Sequence, residues 1–311
     1  MLTLGLLAAA PQFSSPVSAQ GGALSCTTPV TNAPAGAATV STSLTSFGRV
    51  LTVGSGANAG CSLYILTSDE LHSLTFGLAA FACSDGPNPI GQPCDSVLWP
   101  ALLTKGAPIA GPGANPALLG TVTRTDVLSG RSVQQVTYAG LPLYRFFLDE
   151  TPGQTDGANL FDPVTSPTGT WYLVGPGRGH PAPGRIQLRS ETVSGNEVLS
   201  ASMDNDFSLL PHGSFPVYTL SSEGTQACQR YCALIWPPVL TSARPEAGPG
   251  VDQHALGVVV RPDGTHQVTY HGKALYLFIK DAYIPGIVGT QSINGAGAVT
   301  PWGVFNVIAL P

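Results

Sequence analysis

The chain is a succession of short apolar runs in which Val, Leu, Tyr and Phe are interleaved with Thr, Ser and Gln, most of them closed by glycine, proline or an acidic residue. Side chains on a strand point alternately to opposite faces, so such runs predict strands with one buried face. The clearest are Gln135–Tyr138 followed by Leu141–Leu148, and Gln267–Tyr270 followed by Lys273–Ile279. Ala139-Gly140 and His271-Gly272 connect them, and two-residue connections ending in glycine predict hairpins. Val50–Val53 and Val198–Ala201 predict further strands. No segment sustains a 3.6-residue apolar period, apart from one turn around Gln226–Ala233. The expected fold class is all-β, with antiparallel strands in a sandwich-like or barrel-like arrangement.

These runs occur twice. Gln135 to Asp149 aligns without a gap on Gln267 to Asp281. Upstream, Gly120-Thr-Val-Thr-Arg124 matches Gly257-Val-Val-Val-Arg261, and Cys94 to Trp99-Pro100 matches Cys232 to Trp236-Pro237. Trp171 and Trp302 are expected to close the two copies at corresponding positions. Self-similarity of this extent marks a tandem repeat. The predicted organisation is a signal peptide over 1–19, an N-terminal extension over 20–45, a first β module over 46–176, a linker over 177–185 and a second β module over 186–311. Four glycines and three prolines between Gly175 and Gly184 single out the linker.

A shorter motif, Tyr-x-apolar-x-x-acid, recurs within each copy: Tyr64 to Asp69, Tyr144 to Asp149, Tyr218 to Glu223 and Tyr276 to Asp281. On a strand the tyrosine and the second apolar residue share a face, which anchors the tyrosine in the core. The acid falls where each segment runs into turn residues, a position where a carboxylate accepts backbone N–H bonds. The motif therefore reads as structural. Tyr138 and Tyr270 likewise read as core anchors.

Composition narrows the class. Charged residues make up 10% of the chain, the net charge is −5, and lysine occurs only at 105, 273 and 280. No basic face exists for nucleic acid. The start, MLTLGLLAAA, is apolar and leads to Val17-Ser18-Ala19, a small-x-small site of the kind a signal peptidase cuts. No run reaches the length of a transmembrane helix. Export agrees with an even number of cysteines: Cys26, Cys61, Cys83, Cys94, Cys228 and Cys232. Three neighbour pairs, 26–61, 83–94 and 228–232, would use them all. Zinc binding and lipidation of Cys26 are the other readings of these thiols.

The residues resemble a family of bacterial secreted repeats, often lipoproteins, of unknown function. A copy of that family reads Leu-Tyr-x-Phe-x-x-Asp, Cys-x-x-x-Cys, Trp-Pro-Pro, Asp-Gly, then Gln-x-Thr-Tyr-x-Gly-x-Pro-Leu-Tyr and a closing Trp. The second module carries Cys228 and Cys232, Trp236-Pro237-Pro238, Asp263-Gly264, Tyr270 and Tyr276. The first departs from it by widening the cysteine loop to Cys83 and Cys94 and by placing Asp126-Val-Leu-Ser-Gly130 where Asp-Gly is expected. The resemblance implies an exported cell-envelope β-protein, periplasmic or at the cell surface, and brings no established reaction. The unequal cysteine gaps favour structural bridges over thiol exchange, which uses a fixed two-residue gap.

Two functions follow. The first is a structural or interaction module docking on an envelope or surface-layer protein, its oligomeric state left open. The second is a copper-binding redox protein, superoxide dismutase-like, with His212, His254, His266 and His271 as candidate ligands, since imidazoles in an oxidising compartment suit copper. No Gly-x-Ser-x-Gly elbow, no phosphate-binding loop and no clustered acids point to other chemistry.

Overall fold

Ten strands come before Gly175 and ten after Gly184 in the computed structural model, which describes residues 25–26, 36–69, 81–83, 93–126, 130–162, 169–202, 214–223, 228–229, 231–281 and 292–311. The first ten are β1 (Thr39–Thr45), β2 (Gly48–Val53), β3 (Tyr64–Leu66), β4 (Leu103–Thr104), β5 (Ile109–Ala110), β6 (Leu119–Asp126), β7 (Arg131–Tyr138), β8 (Leu141–Pro142), β9 (Phe161–Asp162) and β10 (Gly169–Leu173). The second ten are β11 (Gln187–Val193), β12 (Asn196–Ser202), β13 (Ser214–Pro216), β14 (Tyr218–Leu220), β15 (Glu246–Ala247), β16 (Leu256–Val260), β17 (His266–Tyr270), β18 (Lys273–Ala274), β19 (Ala298–Thr300) and β20 (Gly303–Val307). A helix of one turn, α1 (Tyr231–Ile235), carries Cys232, and a wide helical turn at Cys94–Leu98 occupies the same place in the first half. The expected signal segment, 1–19, lies outside the described residues. Within the expected extension, 39–45 form β1 and pair with β2.

Each half builds the same three sheets. β2-β1-β5 corresponds to β12-β11-β15, with β1–β5 and β11–β15 parallel in both. β3-β10-β9 corresponds to β14-β20-β19, and β6-β7-β8 to β16-β17-β18. The chain is all-β and antiparallel in nearly every pairing, and no sheet closes into a barrel among the described residues. The hairpins are of the primed type that matches strand twist. Ala139 and Gly140 have φ of 52° and 85°, His271 and Gly272 of 47° and 74°. The strands expected at Leu141–Leu148 and Lys273–Ile279 are shorter than their apolar runs. Beyond Pro142 and Ala274 the chain makes only single bridges, because Tyr144 and Tyr276 turn inward to pair with Tyr64 and Tyr218. The described helical turn, Tyr231–Ile235, overlaps the one expected around Gln226–Ala233, of which 226, 227 and 230 lie outside the described residues.

A local two-fold axis runs through each unit. Tyr64 and Tyr144 exchange both backbone N–H···O bonds, at 2.9 and 3.0 Å, and Tyr218 and Tyr276 do the same at 2.9 Å each. Over this axis the large rings stack. Trp99 lies on Trp171 with centroids 3.7 Å apart, and Trp236 lies on Phe305 at the same 3.7 Å. The register explains the second pair: Trp171 stands opposite Leu66, and Phe305 stands opposite Leu220. The closing aromatic of the second copy is therefore Phe305. Trp302, three residues earlier in the β19–β20 turn, is half-buried and does not take the place of Trp171. Phe146 and Phe278 cover the outer faces of Trp99 and Trp236 at 4.3 and 4.2 Å.

The segment between the units is folded and pinned. The Tyr138 hydroxyl donates to the Pro176 carbonyl, Asn159 Nδ2 to the Pro183 carbonyl, and the Ala182 N–H to the Leu173 carbonyl. From the other side, Thr241 and the Ser242 N–H bond the Gly184 carbonyl. Leu240 of the second unit packs into the first unit's core cluster beside Ile65, Leu102 and Tyr172. The two halves thus share apolar surface.

Candidate functional site

The four repeated motifs converge in pairs. The Tyr64 hydroxyl donates to Asp149 Oδ2 at 2.7 Å, and Tyr144 donates to Asp69 Oδ2 at 2.8 Å. In the second unit Tyr218 donates to Asp281, and Tyr276 donates to Glu223 Oε1 at 2.8 Å. Each tyrosine thus reaches the acid of the other motif across the two-fold axis. The remaining oxygen of each aspartate takes a backbone N–H, from Ala82, Asp156 and Asn294 respectively for Asp69, Asp149 and Asp281. Burial raises the Asp149 carboxyl to about 7 and those of Asp69 and Asp281 to about 6, against the lowering effect of the tyrosine bonds. Burial also raises Glu223. All four tyrosine hydroxyls are pushed up from their ordinary value by burial first and then by the neighbouring acid.

A second repeated device secures the cysteine loops. Arg124 donates to Gln135 Oε1 at 2.8 Å and to the Cys83 carbonyl at 3.1 Å, while Gln135 Nε2 donates to the Leu143 carbonyl. Arg261 repeats this with Gln267 Oε1 at 2.6 Å and the Cys228 carbonyl at 2.9 Å, and Gln267 reaches the Leu275 carbonyl. Arg124 is also ion-paired with buried Asp95. The disulfides are Cys26–Cys61, Cys83–Cys94 and Cys228–Cys232, which use all six thiols. In the last two, the arginine holds the carbonyl of the first cysteine whatever the loop length.

Sequence reasoning did not single out these arginines and glutamines, although they stand at matching places in the aligned runs. Gly157 and Gly295 were missed too. A Cβ at either would come within 2.7 Å of the tryptophan ring, at Trp99 and Trp236. Their signal is a shared Gly-Ala step in Asp156-Gly157-Ala158 and Asn294-Gly295-Ala296.

Among the described residues the candidate histidines do not converge. His266 and His271 sit at opposite ends of β17, both exposed, with His271 edge-on to Tyr270 at 4.4 Å. His254 is exposed in the short turn before β16. His212 lies outside the described residues. Among the described residues no group of three or more His, Cys, Asp or Glu is arranged to hold a metal ion.

Concave surface lies between the units. A cleft of about 760 Å³ is walled on one side by Ile65, Leu141 and Tyr172 of the first unit and on the other by Leu234, Pro238 and Arg261 of the second. Arg178 and His180, on the pinned segment, stand at it, as do Asp69 and Asp263. Both acids are occupied: Asp69 as above, and Asp263 by the Thr265 N–H and hydroxyl, with Arg261 Nε 3.6 Å away.

Residues 132–164 and 257–293 both match the model of a lipoprotein family described as a secreted repeat of unknown function. The two matches fall on the β7 and β16–β18 regions, one in each half, as the internal repeat requires. No curated protein and no solved structure matches the chain. No helix among the described residues is long and apolar enough to cross a membrane.

Proposed function

We propose that the protein is an exported interaction module of the cell envelope, periplasmic or at the cell surface, that docks on a surface protein through edge strand β16. One observation carries this reading. Val258, Val259 and Val260 are 43, 43 and 63% exposed on a strand whose outer edge has no partner among the described residues. Free apolar edges invite strand addition, and proteins without such a partner commonly blunt them with charge or proline. The corresponding strand β6 places Thr121, Val122 and Thr123 there. A non-catalytic role is favoured because the acids of all four motifs, three of them buried and Glu223 half-buried, are each bonded to a tyrosine as part of the core. In this reading the first repeat begins at β1, near residue 39, and the second at β11.

The test replaces Val258 and Val260 with lysine. In gently crosslinked envelope extracts the unmodified protein should elute in a complex well above its own mass. The variant should elute as a monomer with an unchanged thermal midpoint. A monomeric wild-type protein, or a complex indifferent to the lysines, would defeat the reading.

A further inference from the structure

We propose that the cleft between the two units binds a small amphiphilic anion, its charged head at Arg178 and His180 and its apolar body along Leu141, Pro142, Leu234 and Pro238. This site is separate from the β16 edge and stands or falls independently of it. The volume, about 760 Å³, is in the range of small-molecule sites, and aliphatic residues and prolines make up about half of the lining.

The charges in the cleft select the ligand. Asp69 is bonded by Tyr144 and the Ala82 N–H; Asp263 remains a carboxylate, bonded by Thr265 and faced at 3.6 Å by Arg261, which is itself committed to Gln267 and the Cys228 carbonyl. Arg178 is exposed and makes no ion pair among the described residues. A chain of net charge −5 therefore offers a cation without an ion pair among the described residues at this cleft.

The head site is also fixed in place. The Gly175 N–H donates to the His180 carbonyl at 2.9 Å, and Tyr138 holds the Pro176 carbonyl at 2.6 Å. Gly179, at φ +71°, lies so close to the β7–β8 turn that a Cβ would stand 2.5 Å from that of Ala139. A loop held this way loses little further freedom when it takes up a ligand, which favours affinity. An exposed arginine alone binds a simple anion weakly, so the apolar walls must contribute the rest.

Isothermal titration of the full, disulfide-intact protein with dodecanoate, below its micelle concentration, tests this. One equivalent should bind saturably. Acetate and dodecyltrimethylammonium should not, since each lacks one half of the required chemistry. Arg178→Glu should weaken dodecanoate about tenfold, a loss of the size expected for one charge-assisted contact. Ala233→Trp, which fills the cleft from α1, should abolish binding; folding of both variants is checked by near-ultraviolet dichroism. Absence of saturable binding, equal binding of the cationic amphiphile, or affinity unchanged in both folded variants would overturn the proposal. So would sedimentation with phosphatidylglycerol vesicles without binding of free dodecanoate, which would mark a membrane surface rather than an enclosed site.

Discussion

The same face of the repeat is apolar in the first unit and polar in the second. Ile65 and Tyr172 are each 1% exposed beneath the second unit, and Leu141 is half-buried beside them. Their counterparts are Thr219, Asn306 and Lys273, the last two exposed to solvent. The register makes the equivalence firm, since Tyr172 pairs with Ile65 and Asn306 pairs with Thr219. The backbone is the same, and only the covering differs. Head-to-tail packing of two repeats always leaves one copy of this face uncovered, and an uncovered apolar face would recruit a further copy. On the second unit this face carries polar residues, which suit it to contact with water.

The units also differ in how they are tied. The first carries the Cys26–Cys61 bridge, spanning 35 residues, and buried Arg145, which donates to the Cys26 carbonyl at 2.7 Å. Burial lowers that arginine to about 10. The second unit has Leu277 at the same position and only the Cys228–Cys232 bridge, spanning 4. Loop-closure entropy then predicts unequal losses when each pair is replaced by alanine: about 4 kcal/mol for 26–61, about 3 for 83–94 and about 2 for 228–232. Denaturant melts of the three double variants would check the order. Equal losses would mean that the bridges act through local strain and not through the length of chain they constrain.

Exchanging the faces sharpens the comparison next. Ile65→Thr with Tyr172→Asn removes apolar area from the covered face and should cost on the order of 3 kcal/mol, with a separate early transition appearing by calorimetry as the units uncouple. The reverse exchange, Thr219→Ile with Lys273→Leu and Asn306→Tyr, should leave stability nearly unchanged while producing concentration-dependent association in sedimentation. A strictly monomeric triple variant would show that the polar residues are not what keeps this face from associating.

The duplication, the hairpins and the strand-forming runs were legible in the sequence because each is a local or aligned feature. Partner choice was not. Tyr64 and Asp149 are 85 residues apart, and nothing in either motif says that the tyrosine bonds the acid of the other motif of its unit and not its own. The acids read as acceptors of backbone N–H bonds, which they are, but the hydroxyl that faces them comes from across the axis. Trp302 misled for a related reason. Its indole matched Trp171 in residue type, whereas the stack is specified by strand register, which Phe305 occupies. The candidate histidines rest on chemistry alone, and the sequence spacing of His266 and His271 already places them at opposite ends of β17. The cleft could not be read at all, because its walls come from residues of both units that are far apart in the sequence.

The smallest difference concerns protons. A carboxyl whose folded pKa is raised binds its proton more tightly in the native state than in the unfolded chain. The native state is therefore favoured below about 4, and that advantage is lost as pH rises through the folded value. For Asp149 the loss extends to about pH 7, for its counterpart Asp281 to about pH 6. One unit of difference corresponds to about 1.4 kcal/mol, and less where water reaches the second pair. Stability should consequently fall between pH 4 and 7 and level off above, with Asp149→Asn flattening more of the slope than Asp281→Asn does. Urea midpoints at pH 4.5, 6 and 8 would resolve this. Stability that climbs over the same interval would mean that the tyrosine bonds outweigh burial and hold the carboxylates charged, and the Tyr–acid pairs would then be the source of acid sensitivity instead of acid tolerance.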